Sequence, residues 1–397
     1  MAKSMESKIL VALDYIKNQV FNPDTRLVYD HCHAKDMAHF PTPEEVAAIF
    51  PNPDGYSVGM EDGMINGGTM VDGVLLKYEL FGDEKDLCFA RELVTGMLDC
   101  AACAKSEGFV PRAVSATDGK SHYPDSSIDQ YTMFVFGLMR FIETGKATDS
   151  EKERIKNAIV SVAKRAEKNP SPENDFDLLR EDGGKTLAGK IWGKSRGNHE
   201  VLRLPMIFAS AYKLSGDRHW LEKYEEFIDE GIERSLPMTD YWHLYTLQQM
   251  QASVYVCKAC DENEERMKKL SDICDAVASY AISKCGYVIS QIRSLSNFNA
   301  PYKPFRECGK DLISRKRFAD VGFPEAFHPA REDAHEFFTL QDAANIAVVV
   351  GFSKNVKAND MVMEAFLEGF DKIDFEKHER CVPVHFIDGY YRAFAKR

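Results

Sequence analysis

The chain has 397 residues, of which 44% are hydrophobic and 28% are charged, a composition typical of folded globular proteins and too apolar for a disordered one. Its formal net charge of −12 argues against nucleic acid as a partner, because a phosphate backbone binds basic surfaces. No segment approaches the ~18 consecutive apolar residues of a membrane span, so we expect no membrane association. The first residues are polar and lack the apolar core of a signal peptide, so we expect a cytoplasmic protein.

The clearest pattern along the chain is a series of helical pairs, in which apolar residues recur with a period near 3.6 and short polar turns separate the two helices. Segments 109–114 and 286–293 are candidates for short strands. The predicted pairs, in chain order, lie within 66–103, then at 130–143 with 150–167, 201–214 with 219–235, 241–260 with 264–284, and 336–351 with 359–373.

The two helices of each pair differ in character. The first, such as 130–143, is apolar on nearly all sides and should be buried, whereas the second, such as 151–165, has one charged face. The chain ends supply a sixth pair, from apolar 384–396 and amphipathic 4–19. The sequence therefore predicts an all-α fold, an (α/α)6 toroid of inner and outer helices with little or no sheet. We expect residues 1–397 to form a single domain closed by the terminal helices.

The links between pairs indicate where the site lies. Segments 104–128, 168–198 and 286–334 are long, and each leads into a predicted inner helix. In antiparallel hairpins such links share one rim, and long links in a compact domain often carry function. We expect the site in the mouth of the toroid.

Polar and aromatic side chains are concentrated just before the inner helices. Carboxylates and imidazoles transfer protons, aromatic rings stack on sugars, and arginine binds anionic groups, so the set suits a sugar-processing site. The candidate catalytic residues are Asp62, Asp129, His199 and His243. The candidate substrate-binding residues are Arg196, Asn198, Tyr123, Tyr241, Trp242, Arg331 and His335.

These residues also have structural interpretations. Ser127 and Gln130 fit a capping box, which would place Asp129 in the first turn of a helix as a cap-region residue. Asp62 could be a loop residue beside a glycine turn. Any single histidine is more often structural than catalytic, although five on one rim favour at least one with a chemical role.

Ten cysteines in a chain without a signal peptide are expected to be reduced thiols. The pairs Cys100/Cys103 and Cys257/Cys260 are about 150 residues apart, too far for a zinc ribbon. The cluster of His31, Cys32 and His33 with His39 has no recognised ligand spacing, and its metal binding is left open. We expect no metal and no cofactor at the site.

Two local segments and the overall layout resemble known enzymes. Segment 127–138, which contains Asp129, resembles the aspartate-bearing inner helix of the unsaturated glucuronyl and rhamnogalacturonyl hydrolases, and Arg196-Gly197-Asn198 is similar to their RGN motif. The six-pair layout resembles the six-hairpin glycosidase superfamily over essentially the whole chain. The resemblance implies metal-independent, often cytoplasmic enzymes whose aspartates hydrate a 4,5-unsaturated uronic acid, with roles for Asp129 and Arg196. The chain has His199 where that group has tryptophan.

Three functions remain open from the sequence. The first is a glycoside hydrolase that acts on an anionic, uronic-acid-containing oligosaccharide through carboxylate acid/base chemistry. The second is a lyase or sugar epimerase on the same barrel, with proton abstraction by histidine or by Tyr123 or Tyr241. The third is a non-catalytic toroid that binds carbohydrate. The sugar, the linkage, the stereochemical outcome and the oligomeric state are left open.

Overall fold

The structure is a computed structural model that describes residues 2–32, 36–236, 238, 243–330 and 334–395. Within these ranges the chain is all-α, as predicted. Its strands there form two antiparallel two-stranded sheets, β1 (Phe21–Asn22) with β2 (Leu27–Val28), and β3 (Lys310–Asp311) with β4 (His328–Pro329). No helix in the described ranges is both long and apolar enough to cross a membrane.

The helices follow the predicted order. In chain order they are α1 (Ala2–Tyr15), α2 (Pro43–Ala47), α3 (Gly63–Phe81), α4 (Glu84–Ala102), α5 (Ile128–Glu143), α6 (Asp149–Lys168), α7 (Arg203–Ser215), α8 (Arg218–Arg234), α9 (Leu244–Cys260), α10 (Glu264–Ser283), α11 (Cys285–Ser294), α12 (Leu312–Ala319), α13 (Ala334–Gly351), α14 (Asp360–Phe370) and α15 (Pro383–Gly389). Short π-helical turns, Ile16–Val20 and Tyr390–Phe394, extend α1 and α15.

Local sequence explains the tight turns inside the pairs. Helices α3 and α7 end at Gly82 and Gly216, both with φ of 68°, a left-handed conformation that glycine adopts without steric cost. The next helices begin at once, because the carboxylates of Asp83 and Asp217 accept a hydrogen bond from the first turn of α4 and α8. The turn residues thus fix where each helix stops and the next one starts.

The inner and outer characters predicted for the two helices are visible in their burial. Every residue of α5 from Gln130 to Phe141 is buried. In contrast, α6 buries one stripe that includes Ile155, Ile159 and Val162, and leaves a charged face in solvent.

Six buried helices, which we call the inner helices, pack in cyclic order. Helix α3 contacts α5, α5 contacts α7, α7 contacts α9, α9 contacts α13, α13 contacts α15, and α15 contacts α3. At the chain ends, α1 packs against α15. This order is compatible with an inner ring, and the closed (α/α)6 toroid and single-domain organisation stay predictions.

The long link after α10 differs from expectation. Segment 286–293, a candidate strand, lies in helix α11, and α12 also forms within this link. Val288, Ile289 and Ile292 are buried, a spacing that places them on one helical face, which packs against α13 and α14. The periodicity of a short apolar run fits both a strand and a helix. In segment 286–293, packing against other helices favours the helix. Segment 109–114 forms no strand either.

Candidate functional site

The amino-terminal ends of the inner helices carry several polar side chains. Asp62 directly precedes α3, Asp129 lies in the first turn of α5, and Arg203 begins α7. His243 directly precedes α9, and His335 lies in the first turn of α13. Because helix amino ends are the positive poles of the helix dipoles, a group of them favours bound anions.

Asp62 is available to the site because the backbone that leads into α3 is held by Asp30 and not by the Asp62 side chain. The backbone N–H groups of Glu61 and Asp62 donate to Asp30 at 2.6 and 3.2 Å, and the amide of Asn66 donates to Asp30 at 3.1 Å. The Asp62 side chain makes no capping hydrogen bond and is 33% exposed. Its Oδ1 lies 3.8 Å from Nη1 of Arg112. Asp62 therefore projects a carboxylate rather than closing the helix end.

Gln130 links the ends of α3 and α5. Its Nε2 donates to Oδ1 of Asp62 and to the carbonyl of Glu61, both at 3.1 Å. Its Oε1 accepts from the N–H of Met64 at 3.2 Å. The predicted capping box is therefore wrong, because the Gln130 amide is committed to α3 and Ser127 makes no side-chain capping bond.

Asp129 is held by an arginine from the next inner helix. Nη1 of Arg203 donates to Oδ1 of Asp129. The Arg203 side chain is almost fully buried, whereas that of Asp129 retains 27% exposure. A buried guanidinium thus orients a carboxylate that remains accessible from solvent.

Tyr245, the second residue of α9, lies within range of the charges of both carboxylates. Burial raises the pKa of its hydroxyl well above the usual range, the charges of Asp129 and Asp62 raise it further, and Arg203 opposes them. The hydroxyl therefore keeps its proton at neutral pH. It can donate a hydrogen bond next to the two carboxylates.

His243 is paired with an aspartate of α13. Its Nδ1 lies 3.5 Å from Oδ2 of Asp342, whose Oδ1 accepts from the N–H of Leu244 at 2.8 Å. The hydrogen bond to Asp342 raises the pKa of His243. The imidazole is stacked near the Phe338 ring, with centroids 5.3 Å apart, and lines a small cavity with Asp342 and His335.

His199 is buried near two arginines. Burial, together with the charges of Arg203 and Arg196, lowers its pKa to about 3. His199 is therefore a neutral imidazole at physiological pH. The positive charge of Arg203 acts on His199, so the imidazole is close to the Asp129–Arg203 pair. No spacing rule in the sequence indicated this relationship.

The remaining candidates have partners of their own. Nη1 of Arg196 pairs with Oε1 of Glu200 at 3.0 Å, and Nδ2 of Asn198 lies 3.9 Å from Sδ of Met238. Tyr123 is buried, and its hydroxyl donates to the carbonyl of Phe50 at 2.5 Å. Three further candidates lie outside the described residues, namely Tyr241, Trp242 and Arg331.

Sequence analysis missed several members of the set. Arg203, Asp342 and Gln130 are charged or polar residues in otherwise apolar inner helices. A polar group in a buried helix needs a partner, and this signal could have identified them. Arg112 and Asp30 lie in segments without regular periodicity, where no such signal exists.

Two further observations bear on the nature of the site. Within the described ranges, no group of three or more His, Cys, Asp or Glu side chains is placed to hold a metal ion. His33, part of the proposed histidine–cysteine cluster, lies outside those ranges.

In comparisons with known proteins, no family model matches the chain and no curated protein matches it.

Proposed function

We propose that the protein is a glycoside hydrolase that acts on an anionic, uronic-acid-containing oligosaccharide. The observation that carries the proposal is the pair Asp62 and Asp129. These partly exposed carboxylates lie at the starts of α3 and α5, where Gln130, the residue after Asp129, donates to Asp62, and the charges of both act on Tyr245. Two carboxylates beside one substrate supply the acid and the base that glycoside hydrolysis requires.

The roles follow from the surroundings of each group. One carboxyl group transfers a proton to the leaving oxygen, and the other accepts a proton from the attacking water. Arg203 orients Asp129, and Tyr245 donates a hydrogen bond beside the reacting groups. The amino ends of the inner helices, as positive poles of the helix dipoles, favour a substrate that carries a carboxylate. The resemblance of segment 127–138 to unsaturated uronide hydrolases is consistent with this substrate class.

The test is hydrolysis of unsaturated and saturated oligouronides by the wild type and by nearly isosteric variants. Asp129→Asn and Asp62→Asn should each lower turnover by ~10²–10⁴-fold, the usual effect of removing a positioned acid or base. Asp149→Asn is the matched control, because the Asp149 side chain is fully exposed on α6. Circular dichroism and thermal melting check the fold of each variant. Full activity of a well-folded Asp129→Asn variant would contradict the proposal.

The pair His243 and Asp342 favours a second candidate, a lyase or sugar epimerase. An imidazole held by a carboxylate is a common arrangement for abstracting or returning a proton. A lyase creates an absorbing double bond, an epimerase conserves mass and exchanges a substrate proton with deuterated solvent, and a hydrolase adds water. If His243→Ala abolishes turnover while Asp129→Asn is silent, this candidate replaces the first.

A further inference from the structure

Three aromatic rings lie together at the amino ends of α9 and α13. The centroid of the His243 ring is 5.8 Å from that of Tyr245 and 5.3 Å from that of Phe338. The centroids of Tyr245 and Phe338 are 6.1 Å apart, and the three planes are within 29° of one another. In a column of parallel rings the outer two would be about twice as far apart as neighbours. The three rings therefore form a compact layer and not a column.

This aromatic layer is accessible from solvent and begins beside the proposed reacting groups. The His243 side chain is 39% exposed, and Tyr245 and Phe338 are only partly buried. The charges of Asp62 and Asp129 act on Tyr245, which places the near end of the layer within range of both carboxylates. An aromatic surface thus leads from the two carboxylates towards α13.

Helix α11 continues this surface with an exposed tyrosine. Tyr287 is 51% exposed, one of the few large hydrophobic side chains that the described ranges leave in solvent. It lines a cavity beside the layer together with His243, Phe338 and Asp342. Helix α11 packs against α13, which carries Phe338 and Asp342. This packing holds Tyr287 next to the aromatic layer.

The cavity itself accepts only a small polar group. Its volume is about 30 Å³, room for about one water molecule or hydroxyl group. Asp342 and Gln291 line it, and their side chains can both accept a hydrogen bond from a hydroxyl. A ligand that complements this surface covers the rings with a face of C–H groups and inserts one hydroxyl into the cavity. A sugar ring has both features.

We propose that Tyr287 and Phe338 form an outer subsite that binds a further sugar unit of the substrate. This unit follows the one held beside Asp62 and Asp129. The faces of aromatic rings carry partial negative charge and attract the C–H groups of a sugar. The inference rests on the proposed function and specifies its substrate, because an enzyme with such a subsite prefers longer chains to the shortest one. Tyr287 thus determines chain-length preference and takes no part in proton transfer.

The test is the chain-length dependence of steady-state kinetics, measured with unsaturated oligouronides of two and four sugar units. Tyr287→Ala should raise KM for the tetrasaccharide by about three- to ten-fold, the affinity that one aromatic contact usually contributes. Its kcat should not change, because a contact made equally in the ground state and the transition state affects KM alone. The KM for the disaccharide should stay the same, since this substrate does not reach the subsite. Tyr287→Phe should retain the wild-type values.

Phe81→Ala is the matched control, because Phe81 is 55% exposed at the carboxyl end of α3 and should leave both KM values unchanged. Equal KM of Tyr287→Ala and wild type for the tetrasaccharide overturns the subsite and leaves the proposed function standing. If the wild type hydrolyses neither oligouronide, the proposed function is contradicted, and isothermal titration calorimetry with the same two oligosaccharides tests the subsite directly. The subsite is then overturned if the tetrasaccharide does not bind, or binds Tyr287→Ala as tightly as the wild type.

Discussion

Arg203 binds Asp129 from the first residue of the neighbouring inner helix, with 1% of its own side chain exposed against 27% for the carboxylate. The cation is thus part of the protein interior, while the anion faces the site. Such a pair fixes the direction of a carboxylate more firmly than two exposed partners could, because the buried guanidinium has few alternative positions.

Arg203→Gln should lower turnover by about 10²-fold, since a small displacement of a catalytic group carries a cost of this size. It should also reduce the free energy of unfolding by about 1–3 kcal/mol, the usual loss when a charged hydrogen bond is broken. Turnover assays and urea denaturation measure the two effects. Arg293→Gln, which removes an exposed partner of Glu364 and Glu368, should change stability by less than about 1 kcal/mol and leave turnover intact. Normal turnover in Arg203→Gln would show that Asp129 does not depend on this partner.

Site residues that follow from a local sequence pattern could be predicted, whereas those brought in by contacts between distant segments could not. The placement of Asp62 and Asp129 at the starts of inner helices followed from hydrophobic periodicity, which is local. The partners Arg203 and Asp342 come from other helical pairs, so only tertiary packing brings them to Asp129 and His243. Gln130 was predicted as a capping residue because its local pattern fitted, but its amide bonds to α3 instead.

The fold shows the same division. The predicted bounds of the helical pairs lie close to the observed ones, because short sequence segments determine the tight turns at Gly82 and Gly216. Segment 286–293 of α11 was a candidate strand because it contains only three buried residues, too few to distinguish the period of a helix from that of a strand. The sequence did not determine the contacts between distant segments. It also did not determine whether short apolar runs form helix or strand.

The pKa of His243 should depend on Asp342. Since the hydrogen bond to Asp342 raises this pKa, Asp342→Asn should lower it toward the ordinary value near 6.5. If His243 acts as a proton donor, the alkaline limb of the pH–rate profile should move to lower pH in this variant, because the protonated imidazole is lost earlier. Titration of the imidazole resonances by NMR measures the shift without reference to activity. His122, which is bonded to Glu181, should titrate identically in both proteins, and an unchanged His243 titration would refute the pairing.

A second histidine should make stability depend on pH. His385 is buried between Gln248 and Gln341, where Nδ1 donates to Oε1 of Gln248 at 3.2 Å and Nε2 accepts from Gln341 at 3.0 Å. Burial lowers its pKa to about 3, below the value near 6.5 of an unfolded chain. The native state therefore binds fewer protons than the unfolded state between these values. Its contribution to stability is complete above pH 6.5 and is lost as the pH falls toward 3.

His385→Gln should remove this titration. From pH 6.5 to 4.5 the free energy of unfolding of the wild type should fall by up to about 1.4 kcal/mol more per pH unit than that of the variant. This difference in slope is expected whatever the difference in stability between the two proteins at pH 7. Urea denaturation at several pH values measures both slopes, and groups that titrate alike in the two proteins cancel in the comparison. Parallel curves would mean that His385 is already protonated in the native state or does not titrate in the unfolded chain.

The close approach of α3 and α5 should make Gly68 intolerant of a side chain. A methyl group there would lie 2.3 Å from the carbonyl oxygen of Met133 and 2.9 Å from its carbon, both backbone atoms that move only with α5. Gly68→Ala should therefore reduce the free energy of unfolding by about 1–3 kcal/mol, as overpacking usually does, and the shift should disturb Asp62 and Asp129 together. Gly286→Ala in α11 is the matched control, because its nearest neighbour would be Cε of Met361 at 3.9 Å, and this variant should be neutral or slightly more stable. Equal stability of Gly68→Ala and wild type in urea denaturation would mean that the two helices are farther apart than the structure places them.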